Sequence, residues 1–274
     1  MKRQSQLEKL SSHKKINVVE KEIIMTSVTQ RISQIKQPRG GFLPAKLFSV
    51  IELSDGKELF TQENIAPSLI GLCVDYLSRF MSGSAKEQAF KISLKGASLA
   101  GEELWAQKFL GNITGLDDSS ISNACKLVGF DVVYRAGLSF YRPIEEIEPD
   151  SQTLANIRTM VKRSLAFFTD YGPVVKDGFT LEGAYTKLIT IGDGDFLTAD
   201  TLWDFKVSKA KPKKEHTLQL LIYYLMGIRS VHPEFASIKH LGLYNPRQNL
   251  VYILAISDIP KETIEVVEHK VIGY

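Results

Sequence analysis

The six residues Leu202-Trp203-Asp204-Phe205-Lys206-Val207 alternate strictly enough to specify a β-strand. Side chains two apart in a strand share a face. Leu202, Asp204 and Lys206 therefore point one way, and Trp203, Phe205 and Val207 point the other, as a buried face should. Upstream, Asp195-Phe196-Leu197-Thr198 runs into Ala199-Asp200. A turn centred on Ala199-Asp200 sets Asp195 directly opposite Asp204, where antiparallel Cβ atoms stand about 4.5–5.5 Å apart. Two carboxylates that close repel unless something positive lies between them. A divalent cation would remove the repulsion, and Lys206, one strand step further, would hold a water or a phosphate oxygen. The competing account is a hairpin of solvent-facing charges, because Asp and Gly are ordinary turn residues. Ala-Asp is also not the Asn-Gly or Asp-Gly pair that two-residue loops favour.

Downstream, Leu218, Leu221, Ile222 and Leu225 recur at helical spacing and predict a helix over Glu215 to Ile228. Gln219 and Tyr223 are four apart and stack on one face of it. Asp195, then Asp204-x-Lys206 in the hairpin, then Gln219-x-x-x-Tyr223 on the next helix, together resemble the PD-(D/E)XK nuclease superfamily, and within it the RecB-type nuclease domain. The resemblance covers about Phe179 to Ile256, under a third of the chain. It implies an α/β fold, a restriction-endonuclease-like mixed central sheet flanked by helices. It also implies a deoxyribonuclease that uses Mg²⁺, with Mn²⁺ as a substitute, in recombination, repair or defence against phage and mobile elements.

Phosphodiester hydrolysis needs an activated water, charge neutralisation and help for the leaving oxygen, and a carboxylate-held Mg²⁺ supplies all three. Mg²⁺ usually takes one or two carboxylates and keeps several waters. The resemblance implies that Asp195, Asp204 and the backbone carbonyl of Phe205 hold the metal. It makes Lys206 the group that orients water or stabilises developing charge, and gives Gln219 and Tyr223 the task of positioning DNA or supporting the acids. One part of the family pattern is missing: such domains often carry a Glu or His on the helix before the hairpin. The helix expected over Ser151 to Phe168, capped by Asp150 or Ser151, has no acid in its interior. Glu182 and Asp170 are the available substitutes. That gap motivates the alternative, a catalytically inactive relative that binds DNA or a partner.

Lys209, Lys211, Lys213 and Lys214 follow the strand and suit phosphate-backbone contacts that read no sequence; a solvated loop has the same composition. His216 comes next, at the helix start. DNA is thus the expected partner, with a second copy of the chain, a helicase or a recombination protein left open.

The rest of the chain bounds these readings. A net charge of +3 over 274 residues confines any nucleic-acid surface to a local patch. No apolar run approaches the ~20 residues that span a bilayer, and no leader peptide is evident, so a cytoplasmic protein is expected. Cys73 and Cys125 are too few for a four-thiolate iron–sulfur cluster and read as small buried hydrophobes. Residues 1–41, with nine Lys or Arg against three Glu, read as a basic, flexible arm. Residues 42–149 read as a mainly helical subdomain, and residues 150–274 as the nuclease core. Within the subdomain, Phe42 to Leu53 predicts a short strand pair, Asn64 to Ser82 and Ser119 to Val128 predict helices, and Phe130 to Tyr134 predicts a strand. Glu102 and Glu103 are distant acids better explained as solvated charges.

Overall fold

In the computed structural model, which describes residues 25–274, the alternating segment is one strand of a six-stranded mixed sheet. In chain order the strands are β1 (Ser49–Glu52), β2 (Lys176–Thr180), β3 (Asp193–Leu197), β4 (Thr201–Phe205), β5 (His240–Asn245) and β6 (Leu250–Ala255). They lie in the order β1-β6-β5-β4-β3-β2. Every neighbouring pair is antiparallel except β4 and β5. The helices are α1 (Val28–Gln34), α2 (Pro67–Met81), α3 (Lys86–Ala89), α4 (Lys91–Ala100), α5 (Glu103–Asn112), α6 (Asp118–Val128), α7 (Asp131–Ala136), α8 (Ser151–Tyr171), α9 (Lys214–Gly227) and α10 (Lys261–Val266). A parallel pair requires a crossover, and α9 is the crossover between β4 and β5.

Helices cover both faces of the sheet, so both sides of each central strand are apolar. On one face Leu197, Leu202, Leu241 and Leu243 pack with Leu218, Leu221 and Ile222 of α9 and with Val28 and Ile32 of α1. On the other, Phe196, Trp203, Tyr244 and Val251 pack around Phe167 of α8; the Phe167 and Tyr244 rings stack with centroids 4.0 Å apart. Burying a side chain of this size contributes roughly 1.5–3 kcal/mol. Beneath α9 lies the sheet and over it lie α1 and the C-terminal segment, so α9 is buried nearly all round rather than along one stripe. Asp150 caps α8, its side chain accepting the Thr153 N–H at 2.7 Å.

The outer side of α8 packs against a helical layer that includes α2, α4, α5 and α6, around Ile70, Leu77, Phe90, Ile121 and Ile157. Cys73 on α2 and Cys125 on α6 are both buried free thiols in this layer, with sulfurs 3.4 Å apart. The helix predicted over Asn64 to Ser82 is α2, and that over Ser119 to Val128 is α6.

Two local expectations are corrected. The strand pair over Phe42 to Leu53 does not form. Ala45–Leu47 is a 3₁₀ turn, and β1 pairs with the distant β6 at the sheet edge. Asp55, just beyond β1, meets Arg163 of α8 at 2.8 Å. Residues 49–52 therefore belong to the sheet, and the helical layer is inserted between β1 and α8. The strand expected at Phe130 to Tyr134 is α7. Its Val-Val pair favours strand, but packing overrides that preference. Phe130 and Val133, one helical turn apart, are both buried. The carbonyl of Phe130 also lies so close to α4 that a Cβ on Gly96 would meet it at 2.0 Å.

Part of the expected basic arm is ordered structure: α1 has a Ser27–Gln30 capping box and buries Val28 and Ile32. Residues 1–24 of that arm lie outside the described residues. Among the described residues no helix is long and apolar enough to cross a membrane.

Candidate active site

The hairpin turn falls where the sequence places it. Phe196 pairs with Trp203 and Leu197 with Leu202, and the Thr198 N–H donates to the Thr201 carbonyl at 3.0 Å, leaving Ala199-Asp200 at the centre. This unusual turn pair is tied down from outside, because the Asp200 carbonyl accepts the N–H groups of Lys239 and His240 at 2.7 and 3.0 Å. Continued by one pair, the register sets Asp195 opposite Asp204.

The two strands meet there through a side chain. The Phe205 N–H donates to Asp195 Oδ2 at 2.6 Å. A strand residue directs its N–H and C=O to the same side, so the Phe205 carbonyl also faces β3. One step on, Lys206 Nζ stands 2.9 Å from Asp204 Oδ1 and 2.7 Å from Oδ2. Asp204 is 2% exposed. Both of its carboxylate oxygens share one ammonium, and Oδ1 meets it with hydrogen-bond geometry. Burial pushes the Asp204 carboxyl up to about 7; Lys206 works against this and Asp195 reinforces it. Burial also opposes the Lys206 charge, but Asp204, Asp195 and Asp75 together outweigh it and raise the lysine above its ordinary range.

From α9, Gln219 Nε2 donates to the Tyr223 hydroxyl at 2.7 Å. Burial, with the Asp204 charge beside it, holds the Tyr223 phenol far above its usual pKa. Asp195, Asp204, Phe205, Lys206, Gln219 and Tyr223 all line one cleft of about 490 Å³.

The opposite wall brings residues that sequence reasoning did not assign. Ser68, Gly71, Leu72 and Asp75 present one face of α2 to the cleft, and Arg135 of α7 lines it as well. Burial raises the Asp75 carboxyl, against the pull of Arg79. Arg79 Nε lies 2.9 Å from Asp75. A signal was present: Asp75 and Arg79 are the sole acid and the sole base in α2, and they stand four apart.

Other candidates fall elsewhere. Glu182 is exposed on the segment after β2, where its carbonyl accepts the Val231 N–H at 2.8 Å, and it does not line the cleft. Asp170 lines a separate cavity of about 420 Å³ beside Lys162 and Arg163. Among the acids on helices before the hairpin, Asp75 of α2 lines the cleft. Glu103 accepts the Ser98 hydroxyl at 2.9 Å, and neither it nor Glu102 reaches the cleft. Lys209, Lys211, Lys213 and Lys214 are exposed between Lys206 and the first turn of α9. None of the four lines the cleft, and Lys209 Nζ donates to the Thr61 carbonyl at 3.0 Å. His216 is half-buried, and burial, followed by the charges of Lys206 and Lys213, lowers it to about 4.

The donor set fits a hard cation. Among the described residues no three His, Cys, Asp or Glu side chains gather as a ligand cluster. Two carboxylates and a carbonyl nevertheless suffice for an ion that retains its waters. The buried Asp204 carboxylate meets the single Lys206 ammonium and has further lone pairs that such an ion would satisfy. No family model, no curated protein and no solved structure matches this chain.

Proposed function

We propose that this protein is a Mg²⁺-dependent deoxyribonuclease of the RecB type, built on a restriction-endonuclease-like core. The observation that carries the reading is Asp195 facing Asp204 across a hairpin, with Lys206 on Asp204 and the Gln219–Tyr223 pair lining the same cleft. The element order adds support: α8, then the antiparallel β2, β3 and β4, then α9 crossing to a parallel β5. That is the sequence of elements expected of the PD-(D/E)XK core.

Asp195, Asp204 and the Phe205 carbonyl would hold the cation. When bound, it supplies charge neutralisation at the phosphate and a more acidic water. Asp204 must be ionised to take part, so its pKa of about 7 couples cation binding to loss of a proton. Lys206 keeps its ammonium charged and directs it into the cleft, where it stabilises negative charge on the phosphate oxygens. Gln219 fixes the Tyr223 hydroxyl by donating to it, so the phenol keeps its proton and its O–H is free to donate a hydrogen bond to a phosphate oxygen. Partial enclosure of the cleft between α2 and α9 strengthens each of these interactions relative to open water.

Incubation of linear and circular DNA with Mg²⁺ or Mn²⁺ tests the reading. Cleavage should fall at least about a hundredfold in Asp204→Ala and Lys206→Ala; equal cleavage by wild type and both variants would assign the activity elsewhere. The lack of three gathered acids among the described residues favours one second reading, a DNA-binding protein that does not cut. Metal-dependent DNA binding with no cleavage of any substrate would select it.

A further inference from the structure

We propose that Arg79 is a resident cation that excludes a second metal ion, so that the cleft takes one divalent cation rather than two. The inference rests on the metal-dependent reading above and specifies its stoichiometry.

Arg79 reaches carboxylates on three different elements. Its Nε lies 2.9 Å from Asp75 Oδ1 on its own helix, Nη1 lies 2.9 Å from Asp177 Oδ1 on β2, and Nη2 lies 3.9 Å from Asp195 Oδ1 on β3. Its side chain is 20% exposed. A guanidinium does not lose its proton in a protein, so this charge is permanent.

The sheet is shaped to admit it. Asp177 pairs with Phe196 and Phe179 with Gly194, which leaves Gly178 opposite Asp195. Gly178 has a φ of +64°, a conformation that costs other residues. A Cβ there would stand 3.4 Å from Arg79 Nη1. A residue without a side chain thus lies beside Asp195 on the edge-strand side, next to the guanidinium.

Asp195 consequently has two different sides. Its Oδ2 accepts the Phe205 N–H, toward Asp204, while its Oδ1 faces Arg79. An ion shared by Asp195 and Asp204 belongs on the first side. Paired catalytic ions stand about 3.5–4 Å apart. A second ion bridging Asp195 and Asp75 would have to occupy the ground that the guanidinium already holds. The guanidinium stands among all three acids: Asp75 spans Nε and Nη2, Asp177 takes Nη1, and Asp195 faces Nη2.

Calorimetric titration of the full chain with Mn²⁺ at pH 8, with free ion counted by electron paramagnetic resonance, tests this. One ion per chain is expected for wild type and none for Asp204→Asn. Arg79→Met retains most of the stem and removes the charge, and should bind two. Two ions on the wild type would overturn the proposal, and that count needs no variant to fold. A folded Arg79→Met that still binds one ion with unchanged affinity would also overturn it, leaving the nuclease reading intact. No Mn²⁺ bound by either protein would overturn both.

Discussion

Asp131 Oδ2 lies 3.5 Å from Arg135 Nε, and Asp131 is 1% exposed while the Arg135 side chain is 49% exposed. The buried acid also accepts the Tyr76 hydroxyl at 2.6 Å and the Ser93 hydroxyl at 2.5 Å, and Arg135 Nη2 reaches the Tyr76 oxygen at 3.3 Å. A carboxylate is costly to bury unless it is well paired. Here the pairing aims a guanidinium from the helical layer into the cleft. Arg135→Ala should cost about 1–2 kcal/mol, because it strips the buried Asp131 of a charge partner while the two hydroxyl donors remain. It should weaken DNA binding in Ca²⁺, measured by fluorescence anisotropy, about five- to tenfold, and lower the salt slope by about one. Asp131→Ala should instead destabilise by about 2–4 kcal/mol in urea denaturation, because two buried hydroxyls lose their acceptor.

Gly242 on β5 pairs with Trp203 on β4, and a Cβ at Gly242 would stand 2.3 Å from the indole ring. That ring is edge-on to Phe167 at 4.8 Å and donates its N–H to Thr198 Oγ1 at 3.0 Å, so it has no free direction to move. Gly242→Ala should cost about 3 kcal/mol. The check is a lower urea midpoint with an unchanged slope. Because Trp203 is the residue before Asp204, a shift in β4 should also weaken Mn²⁺ binding.

How legible the site was followed from the range of its contacts. The hairpin register could be read because strand alternation and turn position are local, and Asp195, Asp204, Lys206, Gln219 and Tyr223 lie within 29 residues of one another and line one cleft. Asp75 and Arg135 could not be read that way. They come from α2, packed on α8, and from α7, packed on α4, 60 or more residues before Asp195 in the chain. The α2 stripe was visible as core, but its polar edge carried no periodic signal beyond one Asp and one Arg. Phe130 to Tyr134 failed for the same reason, since the close approach of α4 at Gly96 outweighs a β-branched pair. β1 falls inside the segment expected to form a local strand pair, but its partner β6 lies about 200 residues downstream and no local pattern names it.

His216 gives a prediction on the acid side. Its folded pKa of about 4 lies below the unfolded value of about 6.5. Between those values the unfolded chain binds the proton and the folded chain does not. Stability therefore falls as pH drops from about 6.5 toward about 4, and this contribution is level above and below that window. His216→Gln should flatten the slope and gain about 1 kcal/mol relative to wild type at pH 5, the figure being discounted for partial exposure. Denaturation midpoints at pH 5 and pH 8 measure the difference. An equal effect of the substitution at both values would show that the imidazole does not titrate in this window.

Asp204 has the opposite sign. Its folded pKa of about 7 lies above the unfolded value of about 3.9, so the folded chain holds the proton more tightly. The metal-free protein therefore loses stability as pH rises from about 4 through about 7, and above that the penalty is fully present. Asp204→Asn removes the charge at nearly constant volume and leaves an amide oxygen to accept from Lys206. In EDTA at pH 8 it should be more stable than wild type by on the order of 2 kcal/mol, which allows for the lost Lys206 attraction. The gain should shrink as pH falls toward about 4. Added Mn²⁺ should stabilise the wild type by an amount that grows with the logarithm of free ion above its dissociation constant and leave Asp204→Asn unmoved, so that the ranking reverses in metal. A buried acid that weakens the empty protein and is offset by a bound cation is what a binding residue requires. A purely structural ion pair with Lys206 would predict the reverse, with Asp204→Asn less stable at pH 8 and no crossing in Mn²⁺.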